Sequence, residues 1–110
     1  MATAYINAKV QGTEAVTTYA TLYTVPAATQ AVLSTIAVCN TSASSATYRV
    51  SIMASAGTPA AQDWIVYDTT IPGNDTVFLT AGLTMQATQV MRVSSSATTV
   101  TFSAYISELS

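Results

Sequence analysis

Histidine is missing from this chain, and with it the side chain that most often serves as general base, triad member or metal ligand near neutral pH. Cysteine occurs once, at Cys39, so no disulfide can form within the chain and the fold must rest on packing and strand pairing. Charge is almost as scarce. Acidic and basic residues make up 7% of the 110 positions against 50% hydrophobic ones, too few to coat the surface as Glu and Lys coat an ordinary soluble monomer. The three cations, Lys9, Arg49 and Arg92, are scattered, so no basic patch exists to neutralise phosphates and nucleic acid is not an expected partner. The four glycines (Gly12, Gly57, Gly73, Gly82) are isolated and build no phosphate-binding loop. No apolar run approaches the length needed to cross a bilayer, and no membrane partner is expected. The opening Met1-Ala-Thr-Ala-Tyr-Ile-Asn lacks the basic and apolar regions of a secretory signal, which makes the cytoplasm the expected site of synthesis.

What remains is mostly Thr, Ser, Val, Tyr and small residues, in a chain long enough for one domain and one core. They alternate with a period of two, and no window carries the spacing of an amphipathic helix. Val100, Phe102, Ala104 and Ile106 point one way while Thr99, Thr101, Ser103 and Tyr105 point the other. Tyr48, Val50 and Ile52 likewise oppose Thr47, Arg49 and Ser51, which places Arg49 on the outer face of a strand. Further strands are expected over Ala4–Lys9, Val16–Val25, Ala31–Asn40, Trp64–Thr70, Thr76–Thr80 and Gln89–Val93, about eight in all. Pro26-Ala-Ala, Asn40-Thr-Ser-Ala-Ser-Ser, Ala56-Gly-Thr-Pro-Ala-Ala and Pro72-Gly-Asn-Asp supply the connections. Short strands so punctuated predict an all-β, single-domain β-sandwich or jelly-roll-like barrel over residues 21–110. Residues 1–20 are less strongly patterned and are expected to form an N-terminal arm or first strand, the arm pairing with a neighbouring copy.

The search for chemistry returns no catalytic, cofactor or metal residues. Cys39 closes the apolar run Ile36-Ala-Val-Cys without an imidazole to activate it, so a small core residue is expected there. Asp63, Asp68 and Asp75 offer oxygen ligands but match no calcium loop, and Asp75, following Gly73-Asn74, reads as a turn residue. Glu14 and Glu108 have no carboxylate neighbour in the sequence that would suggest a glycosidase-like pair. Trp64 and Tyr67 fall on opposite faces of a regular strand, one in the core and the other available as a sugar platform or interface anchor. Asn40-Thr-Ser and Asn74-Asp-Thr fit the glycosylation pattern but are expected to serve as turns. The chain therefore does not read as an enzyme.

The ordered segments Thr21-Leu-Tyr-Thr-Val-Pro-Ala, Val32-Leu-Ser-Thr-Ile-Ala-Val-Cys-Asn and Ala46-Thr-Tyr-Arg-Val-Ser-Ile resemble the small virion structural proteins of tailed bacteriophages, cyanophages and marine phages among them. Trp64-Ile-Val-Tyr-Asp-Thr-Thr-Ile-Pro-Gly-Asn-Asp-Thr, Leu79-Thr-Ala-Gly-Leu-Thr-Met and Thr101-Phe-Ser-Ala-Tyr-Ile-Ser-Glu-Leu extend the resemblance over about residues 20–110. Ala104-Tyr105 departs from it, standing where a glycine-containing ending is expected. The resemblance implies a virion component made in the host cytoplasm, without catalytic residues. A capsid decoration or cement protein comes first, and a tail, neck or baseplate component second. Its partners would be the major capsid protein, or tail or neck proteins, together with further copies of itself as a trimer or other closed oligomer. A receptor- or carbohydrate-binding module is the reading from a different class.

Overall fold

The computed structural model describes residues 3–55 and 57–110. Met1, Ala2 and Ala56, which fall in the expected arm and the expected connection from Ala56, lie outside the described residues. The described chain forms β1 (Thr3–Gln11), β2 (Ala20–Thr24), β3 (Gln30–Asn40), β4 (Ala46–Met53), β5 (Trp64–Ile71), β6 (Asp75–Met85), β7 (Val90–Ser95) and β8 (Val100–Leu109), with a short 3₁₀ turn at Ala61–Asp63.

Each strand pairs antiparallel with its counterpart counted from the other end: β1 with β8, β2 with β7, β3 with β6 and β4 with β5. The chain is thus one long ribbon doubled back at the β4–β5 connection. Cross-pairing of β3 with β8 and of β4 with β7 winds that ribbon into two four-stranded sheets, ordered β1-β8-β3-β6 and β2-β7-β4-β5. Among these strands only β4 and β5 follow one another within a sheet; every other connection crosses between sheets. This is the winding of an eight-stranded jelly roll, one of the two architectures expected from the alternation.

The alternation also locates the core. Leu33, Ile36, Val38, Phe102, Ala104 and Ile106 of the first sheet meet Tyr48, Val50, Met91 and Val93 of the second, all buried. Between the sheets the rings of Tyr48 and Phe102 meet edge to face, their centroids 6.2 Å apart. Strict period two fails at three places, the first in β2, where the register slips between Thr21 and Tyr23 and the adjacent Leu22 and Tyr23 are both buried. In β3 the register slips between Leu33 and Thr35 against both neighbours, so Leu33 and Ile36 both face the core although three residues apart. Opposite this slip, Gly82 of β6 takes φ +58°, a conformation that costs glycine little, and pairing continues past it to Met85. That is why β6 runs well beyond the expected Thr76–Thr80. The third failure lies in β5, where the register slips twice against β4.

Residues 3–11, within the stretch expected to be an arm or a first strand, form β1 and pair along β8 from Thr3–Leu109 to Gln11–Thr101. The strand expected over Val16–Val25 is a correction: only Ala20–Thr24 is extended. Backbone and side-chain bonds to distant parts of the chain claim the segment between β1 and β2. Gly12 N donates to Val100 O at 2.6 Å, Thr13 N donates to Ser95 Oγ at 2.9 Å, and Ser95 N donates back to Thr13 Oγ1 at 3.0 Å. At one end of the sandwich the buried Asn40 joins three connections. Its Nδ2 donates to Ser44 O at 2.8 Å and Pro72 O at 3.3 Å, while its Oδ1 accepts from Ser42 N at 3.1 Å and Thr99 Oγ1 at 3.2 Å.

Candidate docking faces

Two outer faces remain once the core is filled, and they differ in kind. On the outside of the second sheet lie Arg49 of β4 and Arg92 of β7, neither pointing freely to water. Arg49 is 8% exposed. Its Nε donates to Asp68 Oδ1 at 2.6 Å and its Nη2 to Asp68 Oδ2 at 3.0 Å, while Nη1 reaches Tyr19 Oη at 3.2 Å and Val16 O at 3.4 Å. Arg92 Nη2 donates to Tyr19 O at 2.8 Å. Both guanidinium groups therefore tie the segment between β1 and β2 down over this sheet. The hydrogen bond to Asp68, opposed by burial, holds Arg49 firmly protonated, and the same bond holds the Asp68 carboxyl below the usual aspartate range.

Three rings surround Arg49. Trp64 lies 5.9 Å from Tyr19 and 5.1 Å from Tyr67, and the guanidinium carbon sits 4.2 Å from the centre of the Tyr67 ring. Trp64 and Tyr67 thus come together, against the expectation of opposite faces. The cause is the irregular β5: its register slips leave extra residues unpaired, and Asp68 adopts φ +51°, so side chains three apart turn to one side. Trp64 is half-buried and Tyr67 exposed. The alternation correctly put Arg49 on an outer face, but the segment that covers it carries no pattern that sequence reading could detect.

The outside of the first sheet is bare. Its pairing registers lay out successive rows across β1, β8, β3 and β6: Tyr5-Ser107-Val32-Thr84, then Asn7-Tyr105-Thr35-Thr80, then Lys9-Ser103-Ala37-Phe78, then Gln11-Thr101-Cys39-Thr76. Lys9, on the edge strand β1, is the one formal charge in these rows. Tyr5 is 84% exposed, Phe78 65%, and Tyr105 and Val32 44% each. Shallow depressions of about 240 and 450 Å³ flank β8, one beside Tyr5 and Tyr105, the other beside Lys9 and Thr101. Cys39 sits in the last row, partly buried and facing outward, so the core position expected for it is a correction: Val38 and Asn40 point inward instead.

The remaining candidate groups are dispersed. Asp63 Oδ2 accepts from Ala60 N at 2.8 Å, Asp75 Oδ1 accepts from Thr76 N at 2.9 Å, and Glu108 accepts the hydroxyl of the buried Tyr23. Glu14 is exposed. Among the described residues no three Cys, Asp or Glu side chains gather where a metal ion would fit. A larger depression, about 550 Å³, opens at one end of the sandwich, and the side chains of Thr29, Gln30, Gln86 and Leu109 that line it are all neutral. No helix is long and apolar enough to cross a membrane among the described residues.

The fold and these faces define an all-β jelly-roll sandwich with one covered and one open outer side. No protein-family model matches the chain, and no curated protein matches it. Solved structures do. Over 96% of its length the chain superposes on a chain of the T13 IBDV viral particle, with a TM-score of 0.56 and 10% identity. It also superposes over 97% of its length on a chain from infectious bursal disease virus, Gx strain, with a TM-score of 0.54 and 14% identity. It spans about a third of those longer chains, 30% and 32% respectively. At this identity the likeness is one of fold.

Proposed function

We propose that the chain is a non-enzymatic structural component of a virus particle, and within that class a decoration or cement protein on the capsid of a tailed bacteriophage. The observation that carries this reading is the jelly-roll fold, shared over nearly the whole chain with parts of viral-particle proteins. Protein interfaces concentrate aromatic residues and exclude charge at their centres, so the hydroxyls, exposed rings and near absence of charge on the first sheet's outer face suit a protein that meets others in an assembly. The sequence resemblance to phage virion proteins supplies the tailed-phage assignment.

The work is mechanical. A protein that binds only the assembled, expanded shell stabilises it by mass action, and many copies acting together multiply the effect. The major capsid protein is the partner this reading names, the virion its location, and host cytoplasm its place of synthesis. Quantitative mass spectrometry of purified particles tests it: copies should be present in a fixed ratio to capsid subunits, and particles lacking the protein should break at lower temperature. A handful of copies per particle would instead indicate a tail, neck or baseplate component.

A second reading, a carbohydrate-binding module, draws on one observation: the exposed Tyr67 ring beside the Asp68 carboxylate. Glycan-array binding lost in Tyr67→Ala would favour it.

A further inference from the structure

We infer that the outer face of the first sheet packs against the same face of a second copy, giving a two-fold dimer independent of any viral partner. Four strands about 4.8 Å apart and some nine paired residues long, at about 3.3 Å each, present a face of roughly 600 Å² in projection. That approaches the roughly 800 Å² per partner of a standard stable interface. Its composition fits the part. Tyr5, Tyr105 and Phe78 run diagonally across the rows among Thr, Ser and Ala, while the depressions flanking β8 give rings of a facing copy somewhere to seat.

Self-pairing is the occupant that charge and geometry favour. A two-fold interface sets like against like, which is costly when charges sit at its centre. Here the lone charge, Lys9, lies on the edge strand, at the rim, where it stays in water. Two copies of one sheet also share the same twist, so they can stack about 10 Å apart with strands nearly aligned, as sheets stack within a sandwich. The second sheet offers no equivalent surface. Its outer side is crossed by the segment held on Arg49 and Arg92, and its edge strand β5 is kinked.

Sedimentation of the purified full chain over a range of concentrations tests the inference. The expected mass at the upper end is twice 11.4 kDa. Tyr105→Lys should weaken association about tenfold or more, as loss of a central anchor does, and Phe78→Lys, on the edge strand β6, should weaken it to a smaller extent, with circular dichroism unchanged in both. Because Tyr105 sits near the middle of the face, mixing Tyr105→Lys with Tyr105→Glu should restore the dimer that neither forms alone. A chain that stays monomeric throughout, sediments as a trimer, or dimerises equally well with both lysine substitutions overturns the inference. None of those results would bear on the presence of the protein in particles, which the mass-spectrometric count decides separately.

Discussion

Arg49 and Asp68 face each other across the β4–β5 pair as a two-pronged ion pair, with the Arg49 side chain buried and the Asp68 side chain 40% exposed. The pair stabilises the irregular edge of the second sheet and, through Tyr19 and Val16, anchors the segment that crosses it. Because folding lowers the Asp68 pKa, the carboxylate contributes stability above its ordinary value of 3.8, and that contribution is lost as pH falls through the lower folded value. Melting temperature should therefore drop as pH falls from the ordinary value of 3.8 through the lower folded one. Asp68→Asn should melt lower at neutral pH and lose part of the acid-side slope, read by circular dichroism over a pH series.

The opposite limb belongs to tyrosine. Burial, reinforced by the hydrogen bond to Glu108 and its charge, pushes the Tyr23 hydroxyl up, and burial alone pushes up Tyr48. The unfolded chain ionises these groups near 10.0 while the folded chain keeps them neutral, so stability is intact below that pH and declines above it. Tyr23→Phe should flatten this alkaline decline, which urea unfolding in alkaline buffers would reveal.

Leu33 and Phe78 make a matched pair for asking where the stability resides. Leu33 is fully buried at the β3 irregularity and Phe78 stands on the bare outer face. Leu33→Ala should cost about 2–5 kcal/mol through lost burial and the cavity left behind. Phe78→Ala, measured in urea at concentrations low enough to hold the chain monomeric, should stay within about 0.5 kcal/mol of the parent.

The Asn40 side chain should be equally sensitive, for a different reason. Asn40→Ala removes the shared partner of three connections and leaves their polar groups unsatisfied, at a cost of roughly 1–3 kcal/mol. Nearby, Gly73 lies directly against the backbone of Ala43, so the methyl group of Gly73→Ala would force the two connections apart. Its midpoint in urea should fall as well, although the substitution adds no polar group.

Period-two alternation makes the all-β sandwich class and most strand positions legible, because burial on one face imposes itself on every second residue, whereas the jelly-roll winding emerges only from the pairings. Tyr48, Val50, Phe102 and Ile106 needed no more than that. The failures occur where one residue changes the phase. At Ser34 and in β5 an inserted residue turns its neighbours to the other side, and nothing in the local composition announces it. The rings of Trp64 and Tyr67 were consequently assigned to separate faces, and the cluster on Arg49 went unseen. Residues 16–19 depart differently. Thr and Val carry strand propensity, but here two arginines distant in sequence supply the bonds that a neighbouring strand would supply. The bare face was readable as a row of hydroxyls, whereas its diagonal of rings emerged only once the registers aligned four strands.

The doubled ribbon also sets a timetable. Its bend, between β4 and β5, is available as soon as mid-chain has been synthesised, whereas β1 must wait for β8, the last strand made. Contacts so distant in sequence place the chain toward the slow end of single-domain folding, on the order of milliseconds to seconds. During translation β1 is an orphan strand, open to pairing with the same strand of another nascent copy until its own partner arrives.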